Sequence, residues 1–274
     1  VATLQTVQKI GPVLDLFSVR QPEWGVSEVA AATQLPRSSA HALLSSLVDT
    51  GLLQCRARGR YRLGWRIVEL GETLRGSVDV RSCAAPLLEQ LTQQHGETSH
   101  LAVMDRWNVL YVDKVLGTHN ITVQGARVGA RLDAHCTAVG KVLLAHLDDA
   151  ERKRYLALRP LRRLTASTVT SVDALASNLE KVRQDGVAVD LGETVPEVHC
   201  VAGPVRDEMG VVVAAVSVSV PASRFARHRP QLEKSVVAAC RAITSAIAAA
   251  DNRPATLGDE ADREVLHALA TRAS

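Results

Sequence analysis

Residues 26–51 read "VSEVAAATQLPRSSAHALLSSLVDTG". Two segments of helical periodicity stand on either side of a break only three residues long, Thr33-Gln34-Leu35. Ser27 is placed to cap a helix that carries Val29 and Ala30. Pro36 fits the first position of a second helix, where its missing N–H is harmless. That helix sets Ala40, Leu43, Leu44 and Leu47 on one face at a 3.6-residue period, and Gly51 ends it. Two helices joined by so tight a turn form a helix-turn-helix.

Working outward, "LLQCRARGRYRLG" (52–64) predicts two short strands around Ala57-Arg58-Gly59. Arg56, Arg58, Arg60, Arg62 and Arg66 follow one another with no acid among them. A charge run is most often a solvated face, but a basic hairpin directly behind a helix-turn-helix makes a winged helix and points to DNA. The N-terminal end of such a second helix enters the major groove, which places Arg37, Ser38, Ser39 and His41 there. Arg37 suits phosphate or guanine, Ser38 and Ser39 suit phosphate, and His41 reaches a base edge. Arg58 and Arg60 suit the DNA backbone or the minor groove. The plainer alternative has the serines capping the helix and His41 idle on the surface. Upstream, residues 4–19 read as a short amphipathic helix, with Gly11-Pro12 either marking its start or kinking it.

The chain of 274 residues is long enough for two cores. With 46% apolar residues but only 3% aromatic, those cores must be built from Leu, Val, Ile and Ala. A net charge of +3 decides little, so the clustering of arginines in the hairpin matters more. Five cysteines without tight spacing suggest reduced thiols and a cytoplasmic protein. Neither a signal peptide nor an apolar run of membrane-spanning length is evident. The expected organisation is a winged helix-turn-helix domain at 1–64, a linking helix at 65–80, a second domain at 81–250 and a polar tail at 251–274. The second domain reads as helix 84–95, strands "SHLAVMD" and "NVLYVDKV" around a tight turn at Arg106-Trp107, and a strand near "ITVQG". Helices at 149–157 and 171–185, strands "VAVD", "HCVAGPV" and "VVVAAVSVSV", and a long helix at 223–249 follow. This hairpin-rich order argues an α+β domain.

Within it, "DAHCTAVGKVLLA" (133–145) runs from a polar loop into an apolar helix. It is not a phosphate loop: His135 stands where the early glycine belongs, and Val142 follows Lys141 where Ser or Thr is needed. A loop feeding a helix start still presents free N–H groups that attract an anion. Ser217 and Ser219, two apart on an apolar strand, point to one face and need partners, either a ligand or a neighbouring strand. His135-Cys136 and His199-Cys200 with Asp190 leave a metal site as an alternative. Neither pair has a standard zinc spacing, and adjacent residues on an extended chain point opposite ways. A Cys-His enzyme with Cys136 or Cys200 as nucleophile is a further alternative without a signature.

Three ordered blocks carry a family resemblance. They are "SEVAAATQLPRSSAHALLSSLVDTGLL" followed by "YRLGWRIVELG", then "HCTAVGKVLLA", then "DGVAVDLGETVPEVHCVAGPVRDEMGVVVAAVSVSVP". In these the chain resembles the IclR family of bacterial transcriptional regulators from about residue 4 to 249. The resemblance implies a winged-helix DNA-binding domain, a linking helix and a GAF-like effector-binding domain. It further implies dimers, often paired into tetramers, on double-stranded operator DNA, with no catalysis and no cofactor. Its effector site carries over to Ala138 and Val139, whose backbone N–H groups would face the carboxylate of a small organic acid, and to Asp190, Cys200, Ser217 and Ser219. Gln124, Leu132 and Val198 are further candidates for the lining. The chain departs from the family pattern at Gln34, where Gly is usual, at Ala42, where Arg is usual, and at Gly11-Pro12. A non-Gly residue at 34 costs about 1 kcal/mol if the backbone there is left-handed.

Overall fold

A computed structural model of the protein describes residues 4–77, 79–118 and 125–251. The chain divides into two compact units, Val1–Ser77 and Val78–Ser274. The first contains α1 (Gln5–Leu14), β1 (Trp24–Gly25), α2 (Val26–Thr33), α3 (Arg37–Asp49), β2 (Leu53–Arg56), β3 (Arg60–Leu63) and α4 (Arg66–Ser77). Its core is the periodic set of the quoted stretch. Val29, Ala40, Leu43, Leu44 and Leu47 bury against Val13, Phe17, Leu53 and Tyr61. The small sheet is antiparallel in the order β1-β3-β2. Its hairpin closes through Arg58 and Gly59, both left-handed at φ 62° and 68°.

Three local expectations need correction. Ser27 does not cap α2. Gly25 holds the cap position, and its N–H donates to the Glu28 carboxylate at 2.7 Å. A carboxylate three residues into the helix reaches back to that amide, so Ser27 is left inside the first turn. Pro36 is the N-cap of α3 rather than its first residue. Pro12 neither begins the first helix nor extends it to residue 19. It lies inside α1, which ends two residues later at Leu14. Placed in the last turn, its missing donor and ring disturb few helical bonds. Gln34 is left-handed, at φ 55° and ψ 30°, so this chain bears the strain that a glycine there would avoid.

The second unit begins with α5 (Asp79–His95). There follow β4 (Thr98–Asp105), β5 (Asn108–Val115), β6 (Arg131–Asp133), α6 (Ala138–Ala145), α7 (Asp149–Leu158) and α8 (Val172–Asp185). β7 (Ala188–Leu191), β8 (Val198–Arg206), β9 (Val212–Pro221) and α9 (Ala222–Asp251) complete it. The six strands form one antiparallel sheet in the order β6-β5-β4-β9-β8-β7. The Arg106-Trp107 turn joins β4 to β5 with both residues at positive φ, 50° and 65°. This backbone matches the twist of a two-residue hairpin.

Alternation along the strands sends side chains into two separate cores. Ala102, Tyr111, Ala188, Ala202 and Ala215 face the layer of α6, α7 and α8. Leu101, Val201, Val216, Val218 and Val220 face α5 and α9. The strand expected near "ITVQG" falls mostly on residues 121–124, outside the described residues, as do Gln124 and the tail beyond 251. Among the described residues no helix is long and apolar enough to cross a membrane.

Candidate functional site

Two places gather the residues that sequence reasoning singled out. The first is the exposed end of α3. Arg37, Ser38, Ser39 and His41 are all exposed, while Ala40, Leu43, Leu44 and Leu47 turn inward. Neither serine caps the helix, because the N-cap residue is Pro36, and among the described residues no side chain bonds its first amides. The first amides of α3 therefore remain available to an anion beside two hydroxyls and a guanidinium. Arg58 stands exposed at the tip of the hairpin.

Arg60 also has partners within the protein. Its guanidinium meets the Glu28 carboxylate at 2.6 Å and the Glu23 carbonyl at 2.8 Å, fastening β3 to the start of α2. The Gly25 amide, ahead of Arg60, holds the Glu28 pKa below its ordinary value. Arg62 likewise bonds the side-chain oxygen of Gln54 across the hairpin, at 2.9 and 3.2 Å.

The second place lies between the sheet and α6. Thr137 caps α6, its hydroxyl accepting from the Gly140 N–H at 3.1 Å. The amides of Ala138 and Val139, the first two helical residues, have no carbonyl within their own helix to bond. Opposite them, Asp190 comes from β7, Cys200 from β8, and Ser217 and Ser219 from β9. These six residues line one cavity of about 20 Å³, together with Tyr111, Ala126, Leu132, Thr137 and Thr194. That volume is about one water molecule's worth. Val198 is buried but does not line the cavity.

Burial shapes the Asp190 carboxyl and the Cys136 and Cys200 thiols. Burial pushes the Asp190 carboxyl up to about 7, against the pull of a 2.6 Å hydrogen bond from the Glu193 N–H. The Cys136 thiol is pushed up to about 12, and burial raises that of Cys200 as well. Both sulfurs thus stay protonated at neutral pH, unlike a nucleophilic cysteine. Cys200 lies 3.2 Å from the Ser219 hydroxyl.

The two His-Cys pairs do not converge. His135 meets the Arg162 carbonyl at 3.0 Å through Nε2, and His199 lies edge-on to Phe225 on the other side of the sheet. Among the described residues no three His, Cys, Asp or Glu side chains form a metal-binding group.

Sequence reasoning missed the support beneath this cavity. Lys141 and Glu193 form a fully buried ion pair, and the Lys141 ammonium also donates to the Val189 carbonyl at 3.1 Å. The turn after β7 is held further by Thr165 and Thr168, whose hydroxyls donate to the carbonyls of Gly192 and Glu193, each at 2.7 Å. Thr194 reaches the Cys136 carbonyl at 2.9 Å. Together these bonds tie the strand side of the cavity to its helix side.

Two family models match the chain: the IclR helix-turn-helix domain over residues 6–56, and the C-terminal domain of bacterial transcriptional regulator IclR over residues 73–248. The HTH-type transcriptional regulator XynR of Escherichia coli (strain K12) is 35% identical over 246 residues, covering 88% of this chain and 97% of that protein. The crystal structure of an IclR homolog from Microbacterium hydrocarbonoxydans, complexed with 4-hydroxybenzoate, is 30% identical, with a TM-score of 0.79 over 89% of this chain and all of that one. The Thermotoga maritima IclR structure is 29% identical, with a TM-score of 0.70 over 90% of this chain and 100% of that one. The chain belongs to the IclR family of bacterial transcriptional regulators, DNA-binding proteins with a helix-turn-helix and a C-terminal effector domain, and not to a family of enzymes.

Proposed function

We propose that the protein binds promoter operators as a dimer or a dimer of dimers and adjusts that binding to a small organic acid held in the cavity between α6 and the sheet. The observation that carries this reading is the convergence of one helix start and three strands on a single enclosed space. It is lined by hydroxyls, a thiol and Asp190, and among the described residues by no Arg or Lys. With no cation among the described residues of the lining, an anion is received by the Ala138 and Val139 amides and the serine hydroxyls. The 4-hydroxybenzoate bound to the Microbacterium homolog supports an acid of this size. Accepting one requires the cavity to widen around it, which couples occupancy to the shape of the domain.

On the DNA side, Arg37, Ser38, Ser39 and His41 read the major groove and Arg58 contacts the backbone or minor groove, while Arg60 shapes the wing from within. Exposed Leu4 and Val7 at the start of α1, and Trp65, Val68 and Leu70 at α4, give the first unit apolar surface suited to a second copy. Promoter binding places the protein in the cytoplasm, with the DNA.

Two sets of variants test this reading. On an operator selected from random DNA, Arg58→Ala should weaken binding on all sequences alike and reduce the slope of log affinity against log salt by about 0.9 for each phosphate that the arginine neutralises. Arg37→Ala should weaken it by about 1–3 kcal/mol and relax base choice. Gel shifts at two salt concentrations measure both, and unchanged affinity in both variants refutes this DNA surface.

On the effector side, Ser217→Ala with Ser219→Ala should reduce acid affinity more than tenfold, since each hydrogen bond to a charged group is worth about 1.5–3 kcal/mol. DNA affinity without effector should stay at the parent level. Calorimetry with 4-hydroxybenzoate and related acids decides this, and normal affinity in the double variant makes the serines structural.

A further inference from the structure

His100 lies on β4 with 1% of its surface exposed, and neither of its ring nitrogens has a hydrogen-bond partner among the described residues. Its position in the sheet relates it to the cavity. Across the ladder it faces Ser217 on β9 and Lys114 on β5. Directly opposed residues share a face of the sheet, so His100 points to the same side as the serine. Its ring meets Tyr111 edge-on, with centroids 5.3 Å apart at 67°. Tyr111 and Ser217 both line the cavity. Lys114 is turned to the Ala126 carbonyl at 2.8 Å rather than to the imidazole.

An unpartnered polar group so deep in a core weakens the fold, and such exceptions to good packing concentrate at functional sites. Burial, with Lys114 adding to it, lowers the imidazole pKa to about 3. The ring is therefore neutral and offers one N–H donor and one lone-pair nitrogen. A hydroxyl satisfies both kinds of group in turn, and an oxo group takes the N–H. A second carboxylate would use the N–H alone and set an anion against the lone pair.

We infer that His100 is a specificity-determining residue of the effector site, its imidazole receiving a hydroxyl or oxo substituent borne by the acid. This rests on the acid-sensing reading above. Tyr111, which lines the cavity and touches His100, is the side chain such a ligand displaces on its way inward. The effectors that fit are hydroxy acids and oxo acids, in preference to their unsubstituted parents.

The test uses the full chain and two pairs of acids, 4-hydroxybenzoate with benzoate and lactate with propanoate, measured by calorimetry. The parent protein should favour the substituted member of at least one pair by about tenfold or more, because a site built to bond a hydroxyl rejects the analogue lacking it. His100→Phe keeps a ring against Tyr111 and removes both nitrogens. It should bring that ratio close to one by weakening the substituted acid, with the parent acid within about threefold of its former affinity. Its melting temperature should equal or exceed that of the parent, since a group left unbonded in the core has been removed. His100→Asn, which keeps a donor and an acceptor, should retain part of the preference.

Several outcomes overturn the inference. A preference unchanged in His100→Phe does so. Equal weakening of both acids with a lowered melting temperature also does, because it makes His100 a packing residue. If the parent binds these acids without preference, this inference falls while the acid-sensing reading stands. If it binds none of them, both fall together.

Discussion

Lys141→Met should destabilise the C-terminal unit by about 3–5 kcal/mol, and adding Glu193→Leu should recover most of that loss. The pair is sealed from water, with the two side chains 1% and 7% exposed. Removing the ammonium alone leaves the Glu193 carboxylate buried close to Asp190, whose carboxyl is already pushed up to about 7 by burial. Removing both charges replaces two costly desolvations with apolar contact, which is often neutral or stabilising. Urea titrations of the two variants measure the difference. A single variant as stable as the parent would show that the pair does not anchor the turn after β7. The double variant should fold yet bind effector poorly, because Asp190 and Thr194 depend on that turn for their position.

Gly140→Ala is the second large effect. A Cβ at this position would sit 2.2 Å from the Ala134 carbonyl oxygen and 2.6 Å from the capping hydroxyl of Thr137. Both are parts of the tight turn that brings the chain into α6, and neither is a flexible end that can yield. The destabilisation should be about 3 kcal/mol, the upper end of ordinary overpacking, and effector binding should fail with it. Gly71→Ala is the matching control. Gly71 lies within α4 with nothing near its would-be Cβ, so the change should stabilise by about 0.5–1 kcal/mol through helix propensity alone. Thermal melts of the two variants should move in opposite directions.

Lys141 and Gly140 also mark where the sequence stopped being legible. Periodicity identified α3 and its buried face because Ala40, Leu43, Leu44 and Leu47 recur at the helical spacing with exposed residues between them. The same logic paired Ser217 with Ser219, since a strand repeats every two residues. Lys141 was passed over because a lone lysine in "AVGKVLLA" has no sequence sign that its partner stands 52 positions later. Glu193 and Thr194 sit in a turn, where polar residues are unremarked. Tyr111 alternates like any core residue of β5, and His100 alternates likewise on β4. Their approach to the cavity depends on which strands are neighbours, an order that periodicity does not encode. β6 escaped because three residues are too few to show a period. The displaced cap role of Ser27 and the internal partners of Arg60 have a common source: Glu28 serves both the Gly25 amide and the Arg60 guanidinium, and side-chain reach over 32 residues is invisible in a linear string.

The central sheet acts as a diaphragm between two chambers. On β9, Ser217 and Ser219 open into the cavity, while Val216, Val218 and Val220 press on the opposite core with Leu88 of α5 and Ile243 of α9. Each serine is separated from a valine by a single peptide bond. A ligand that pushes the serines away from Ala138 therefore loads α5 and α9 through the thickness of one strand, with no chain of intermediaries. α5 begins at Asp79, two residues past Ser77, which ends the unit that carries the helix-turn-helix. The face of the diaphragm turned from the cavity would thus bear the load of any ligand held there.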